Sequence, residues 1–202
     1  MAVAATLHCL TGCAIGEMLG LVIGTAVGLS TGWTITISVS LAFFFGYLLS
    51  TLPLLKSGLA LGAAFSLVLA ADTVSIATME VVDNAVMALI PGAMDAGLVN
   101  PVFWVGMMIA FTAAFVAAYP VNRYLLQRGK GHALTHEFHG AAAATTGARR
   151  YLPSFATSTL VAVLVAFLLG GLLVSVAAEL GDGEGGSAPG HAAPAAAWSS
   201  GR

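Results

Sequence analysis

The chain has 202 residues, of which 58% are hydrophobic and 8% are charged, and its mean hydropathy is +0.95. A soluble domain carries about 25% charged residues, so this composition excludes a soluble globular protein and indicates a membrane protein. The formal charge is −2, from seven basic and nine acidic residues. No basic surface is therefore available to follow a phosphate backbone, and nucleic-acid binding is excluded.

Long apolar stretches predict an all-α, polytopic transmembrane bundle of about five spans in the lipid bilayer. A helix needs about 20 apolar residues to cross about 30 Å of hydrocarbon. Five segments have that length, namely residues 5–29, 33–55, 58–90, 101–121 and 155–179. The third is too long for a simple crossing, so we expect it to tilt, protrude or break near Asp72 into two half helices.

The spans divide the chain into four parts. Residues 1–130 form a transmembrane core of four spans, and residues 131–154 form a cytoplasmic loop that contains His and Arg. Residues 155–179 form the fifth span. Residues 180–202 are rich in Gly, Ala, Ser and Pro, so we expect a disordered tail there.

The basic residues predict the orientation of the spans, because Lys and Arg in short loops are retained on the cytoplasmic side. Lys56 follows the second span, and five more basic residues, at positions 123, 128, 130, 149 and 150, lie between the fourth and fifth spans. Placing both basic loops inside puts the N-terminus in the cytoplasm and the C-terminus outside.

Glycines recur every four residues along the first span, at Gly12, Gly16, Gly20, Gly24 and Gly28. A missing side chain lets another helix backbone approach closely, and such van der Waals contact holds membrane helices together. We call these residues the glycine ridge. The ridge predicts tight packing inside the bundle or in a homo-oligomer, and a pore lining is the less favoured alternative.

Beside the ridge, Cys9, Cys13 and Glu17 also lie four residues apart, displaced by about 100° around the helix. His8 is in line with the glycines. Two thiols, an imidazole and a carboxylate within three turns could bind Cu(I) or Zn(II). Two sulfur ligands suffice for linear Cu(I), whereas tetrahedral Zn(II) needs two more, so Cu(I) is the first expectation. Packing as small hydrophobic residues and redox chemistry of the pair remain open.

One face of the third span carries acidic residues, which are energetically unfavourable inside a membrane. Five residues, Asp72, Met79, Glu80, Asp83 and Met87, share one face about 100° wide, and a carboxylate that faces lipid is strongly unfavourable. The helical rise puts Asp72 past the midplane, near Glu17 and the glycine ridge. These acids have no internal Lys or Arg as counter-charge, so protons or a transported cation must neutralise them. Inter-helix hydrogen bonds to Ser, Thr and Asn are the alternative interpretation.

The loop between the fourth and fifth spans contains three histidines. His132, His136 and His139 fall on one face if the segment is helical. Three imidazoles could collect Zn(II) or Cu. A solvated amphipathic loop is the favoured interpretation.

Several strings together resemble a known family. They are HCLTGC at residues 8–13, followed by Gly16 and Glu17, then ADTVSI at 71–76, NPVFW at 100–104 and AYPVN at 118–122. Over about residues 6–132 the chain resembles a family of prokaryotic integral membrane proteins known as a domain of unknown function, DUF4396. The family's first motif usually ends in Asp, where this chain has Glu17.

The resemblance implies a multi-pass protein of the prokaryotic cytoplasmic (inner) membrane, and it implies no activity. It also supports five of the candidate residues, namely His8, Cys9, Cys13, Glu17 and Asp72.

From the residues we expect a membrane protein that binds and transports a transition-metal cation, Cu or Zn. Thiolates would bind the cation in the cytoplasmic half of the membrane, and acids together with Met would bind it in the outer half. The candidate metal ligands are His8, Cys9, Cys13, Glu17, Asp72, Met79, Glu80 and Asp83. A thiol-redox or assembly factor and a structural membrane subunit are the alternatives. We find no nucleotide-binding glycine loop and no Ser/His/Asp arrangement, and we expect no enzymatic activity.

Overall fold

The computed structural model describes residues 2–56, 58–127 and 155–185, and these residues are all-helical, with no strand among them. The helices are α1 (Ala2–Val27), α2 (Thr31–Lys56), α3 (Leu61–Leu89), α4 (Pro101–Gln127) and α5 (Thr157–Gly185). In this part of the chain four helices are long and apolar enough to cross a membrane, and α3 makes a fifth if its two bent halves form one span. The predicted polytopic helical bundle is confirmed.

Helix α3 is bent by 49° between its segments Leu61–Ala70 and Asp72–Leu89. A break near Asp72 was one of the three expected ways to fit an overlong span, and the structure has a bend at that position within a continuous helix. The short first segment packs through Ala64 and Val68 against Leu54 near the end of α2. The longer second segment runs along the bundle. The ten residues before the bend therefore add about a third less depth than they would in a straight helix.

The glycine ridge of α1 lies against α2 of the same chain. A Cβ atom at Gly16 would overlap the backbone of Ala42, and one at Gly20 would overlap Ser38. Further along α1 the contact moves to positions nearer the start of α2, so the two helices run antiparallel. Packing inside the bundle accounts for Gly12, Gly16, Gly20 and Gly24, and a second copy could reach them only by displacing α2. Gly28 lies beyond this contact, with no atom near its Cβ position.

Helices α4 and α5 are joined through Trp104. Its indole nitrogen donates a hydrogen bond of 2.7 Å to the Leu98 carbonyl oxygen in the loop before α4. Its ring packs edge-on against Phe167 of α5, with ring centroids 5.4 Å apart. Gly171 leaves room for this ring, because a Cβ there would overlap it. One aromatic side chain thus positions both the loop and the last helix.

The end of α5 differs from the expected boundary. The helix continues to Gly185, six residues beyond the predicted end of the fifth span at residue 179. Three of the six added residues, Gly181, Gly183 and Gly185, are poor helix formers, so the helix propensity of these residues does not explain the extension. The rest of the predicted tail, and the loop with His132, His136 and His139, lie outside the described residues.

Candidate functional site

One face of α1 carries Cys9, Cys13 and Glu17, and this face packs against α3. Each of the three side chains is buried, and each lies near an acid of α3. The neighbouring face, with the glycine ridge, contacts α2. The predicted offset of about 100° between thiols and glycines therefore separates two different helix interfaces. We call the six residues on both sides of the first interface the buried polar column: Cys9, Cys13, Glu17, Asp72, Glu80 and Asp83.

The first level of the column is centred on Cys9. Its side chain is fully buried, and the hydroxyl groups of Ser50 on α2 and Ser75 on α3 lie beside the thiol. Asp72 lies within electrostatic range of the same thiol and is itself buried. Three helices thus enclose one sulfur atom in polar surroundings. Neither serine stood out in the sequence, because a buried hydroxyl in a membrane helix gives no spacing signal.

The second level joins Cys13 to Glu80. The thiol is 1% exposed and lies beside the Glu80 carboxyl group. Neither oxygen of Glu80 has a hydrogen-bond partner of normal geometry among the described residues. A buried carboxyl group is costly unless it is paired or hydrogen-bonded. This level therefore offers a sulfur ligand and two unsatisfied oxygen atoms to whatever binds there.

The third level joins Glu17 to Asp83. Their carboxyl groups lie next to each other, and both side chains are buried. One oxygen of each, Glu17 Oε1 and Asp83 Oδ1, is buried without a hydrogen-bond partner in the described part of the chain. Both residues also line a cavity of about 270 Å³. The column therefore opens into this cavity at its Glu17 end.

Asp72 is buried inside the bundle, as predicted, but its neighbour on α1 differs from the expected Glu17. Asp72 lies near Cys9 in the first third of α1, whereas Asp83 and Glu80 are the acids near Glu17. The bend in α3 contributes to the difference, because a segment inclined by 49° rises along the axis by only about two thirds of its length. From Asp72 onward, residues with higher numbers on α3 lie beside residues with higher numbers on α1. The two helices therefore run in the same direction, as the first and third spans of an up-and-down bundle must.

Two of the predicted ligands lie apart from these levels. His8 is half-buried on the ridge side of α1, and its Nδ1 donates a hydrogen bond of 2.8 Å to the Ala4 carbonyl oxygen. Met79 is buried in the apolar core of the bundle. The described residues contain no group of three or more His, Cys, Asp or Glu side chains arranged to hold a metal ion. The predicted ligands thus form successive pairs along an interface instead of one compact site.

The cavity beside Glu17 is lined by residues whose proximity the sequence did not predict. Methionines from four separate segments reach it, together with three acids and several small polar residues. The methionines are Met18, Met87, Met94 and Met107. Met18 follows Glu17 and Met94 precedes Asp95 in the chain, but only the packing of the helices shows that these four residues share one cavity.

Comparisons with known proteins assign the chain to a family. The family described as Domain of unknown function (DUF4396) matches residues 1–131, which include α1 to α4 and the whole buried polar column. Searches of curated proteins and of solved structures found no match. Because the matched region covers more than half of the 202 residues, the chain belongs to the DUF4396 family, a domain of unknown function.

Proposed function

We propose that this protein carries a transition-metal cation, Cu or Zn, across a membrane along the buried polar column. One observation supports this function above all. Four carboxyl oxygens, on Glu17, Glu80 and Asp83, are buried in the column without a hydrogen-bond partner of normal geometry among the described residues, and Glu80 and Glu17 lie near the Cys13 thiol. Burying unpaired carboxyl oxygens is unfavourable, so the fold retains them at a cost. A cation that passes between these groups supplies the missing partner.

The arrangement in pairs favours passage of an ion over permanent storage. A structural metal site is closed by four ligands, and no such cluster occurs in the described residues. The levels at Cys9, Cys13 and Glu17 instead lie one helical turn apart, about 6 Å along α1. Each level offers few ligands, so no single level holds the ion strongly. An ion can move from one level to the next without leaving protein ligands.

The positions of the basic residues support an orientation. Lys56 ends α2 and Arg123 lies near the end of α4, and the antiparallel packing brings both to the bundle end where α1 begins. Basic residues mark the cytoplasmic side. We place the N-terminus and Lys56 inside and the cavity beside Glu17 outside, in the cytoplasmic membrane of a prokaryote.

The burial of the thiols favours a ligand role over thiol exchange. Reactive cysteines lie in partly exposed, electropositive surroundings. Cys9 and Cys13 are 0% and 1% exposed, and their charged neighbours are acids. A purely structural subunit gives no reason to retain unsatisfied buried carboxyl groups, since apolar residues pack the same space at lower cost.

A transport assay on the full-length protein tests the proposal. The purified protein is reconstituted into liposomes, Cu(I) or Zn(II) is added outside, and the trapped metal is measured by mass spectrometry after an external chelator wash. We expect wild type to accumulate at least one of these metals above empty liposomes. Cys9→Ser/Cys13→Ser and Glu17→Gln should each lower the rate at least about tenfold, as the loss of a metal contact typically does.

Glu179→Gln, an exposed change on α5, is the matched control and should leave the rate unchanged. Thermal unfolding of every variant shows whether it is folded. Cys9→Ala/Cys13→Ala also lacks both sulfur atoms but has smaller side chains than the serine variant, so comparing the two variants separates the loss of sulfur from the loss of packing. Accumulation no greater than in empty liposomes would overturn the proposal. So would unchanged transport in the double cysteine variant.

A further inference from the structure

We infer that the cavity beside Glu17 is the entry site for a soft monovalent cation, Cu(I), and that the thioethers of Met18, Met87, Met94 and Met107 are its ligands. This inference rests on the proposed transport function and specifies its cargo. It concerns a site that the spacing of residues along the chain did not reveal. The cavity, its four thioethers and its contact with the buried polar column are the observations that support it.

The four methionines come from four separate segments of the chain. Met18 belongs to α1, Met87 to α3, Met94 to the loop after α3, and Met107 to α4. They are four of only seven methionines in the protein. Methionine also fills irregular gaps in ordinary cores, and Met79 does so here; Met87 and Met107 belong to the same apolar core and line the cavity as well. A lining of a cavity by four such residues from four segments goes beyond gap filling, because the space between them is left open.

The surrounding backbone leaves space for one of these sulfur atoms. A Cβ at Gly106 of α4 would lie 3.0 Å from the Met87 sulfur and 3.3 Å from the Ala93 Cβ. Any larger residue at position 106 would push the Met87 thioether away from its present position. The cavity of about 270 Å³ has room for an ion with a few waters, since one water takes about 30 Å³ in the liquid.

The chemistry of the lining favours a soft cation. Thioethers bind Cu(I), whereas carboxylate, carbonyl and water oxygens suit Mg or Ca. Three acids, Glu17, Asp83 and Asp95, line the cavity, and none of the described lining residues is Lys, Arg or His. The acids attract any cation, and the neutral thioethers select the soft one. Glu17 and Asp83 then connect the cavity to the Cys13 level of the column.

Binding of Ag(I) and Cu(I) to the full-length protein in detergent tests the site, with Ag(I) as a redox-stable probe and Zn(II) for comparison. In one variant all four cavity methionines are replaced by leucine, a swap that nearly conserves volume and costs little packing. We expect this variant to bind Ag(I) at least about tenfold more weakly than wild type. Met108→Leu is the matched control, since Met108 neighbours Met107 but does not line the cavity.

X-ray absorption at the copper edge gives a second measurement that does not depend on the folding of a variant. Protein labelled with selenomethionine and loaded with one equivalent of Cu(I) should show selenium atoms in the copper shell. Cysteine ligands cannot produce that signal. A shell without selenium, or equal Ag(I) affinity in wild type and the fourfold variant, would overturn the entry site.

The two proposals fail in different ways. If wild type transports Zn(II) but neither binds nor transports Ag(I) and Cu(I), the soft-cation entry site is wrong while the transport function stands. If wild type transports neither kind of ion, both proposals are wrong.

Discussion

The amide nitrogen of Asn122 donates a hydrogen bond of 2.9 Å to the Thr6 hydroxyl oxygen, which ties the end of α4 to the start of α1. Both side chains are buried, and the Thr6 hydroxyl in turn donates to the Ala2 carbonyl oxygen at 2.8 Å. This pair lies at the bundle end opposite the methionine-lined cavity. Thr6 is also one turn before Cys9, so the bond helps to hold the first level of the column in place.

Breaking this bond should destabilise the bundle by a modest amount. Hydrogen bonds between membrane helices contribute about 0.6 kcal/mol on average and at most about 1.7 kcal/mol. We expect a double-mutant cycle of Thr6→Ala and Asn122→Ala to give a coupling energy in that range, measured by reversible unfolding in mixed detergent. Thr112→Ala is the control, because the Thr112 hydroxyl bonds only its own helix, at Met108. A coupling near zero would contradict a structural role for the pair.

A methyl group added at the glycine ridge should separate α1 from α2. The Cβ of Gly16→Ala would overlap the Ala42 backbone, which cannot move aside as a side chain can. Overpacking of this kind costs about 1–3 kcal/mol. Gly170→Ala on α5 is the matched control, since nothing lies within 4 Å of its Cβ position. There the better helix propensity of Ala should raise stability by up to about 1 kcal/mol.

Stability measurements on both variants by the same unfolding method decide the point. Equal stability changes at positions 16 and 170 would contradict the close contact of the glycine ridge with α2.

Replacing the Glu17 carboxyl group by an amide should affect transport and stability in opposite directions. Gln is less costly to bury than a carboxylate, and it relieves the proximity of Asp83. We therefore expect Glu17→Gln to keep or raise the free energy of unfolding while it lowers metal transport. Glu179→Gln, an exposed position, should change neither quantity. A less stable Glu17→Gln variant with normal transport would show that the residue is structural.

Reporter fusions test the orientation. Fusions after Lys56, Asp95, Arg128 and Asp182 should report inside, outside, inside and outside, because the basic residues collect at one end of the bundle. The fusion after Asp95 also tests the side to which the methionine-lined cavity opens. A cytoplasmic signal after Asp182 would contradict an odd number of spans, and a cytoplasmic signal after Asp95 would contradict the outward cavity.

The sequence alone determined the helices and the faces of α1. Composition and the length of apolar stretches predict the spans, because the bilayer requires a minimum length and satisfied backbone groups. Within one helix, each residue advances about 100°, so the separation of Gly16 from Cys13 and Glu17 onto two faces follows from their spacing. These properties are local, and they need no knowledge of neighbouring helices.

Only the tertiary structure decided which groups meet. The structure places Asp72 beside Cys9 and Asp83 beside Glu17, whereas a count of helical rise along a straight α3 put Asp72 near Glu17. The methionine-lined cavity joins residues that are as much as 89 positions apart, from Met18 to Met107. Such contacts depend on which helices are neighbours and at what depth. Packing between helices sets those relationships. The spacing of residues within a single helix therefore does not encode which groups meet.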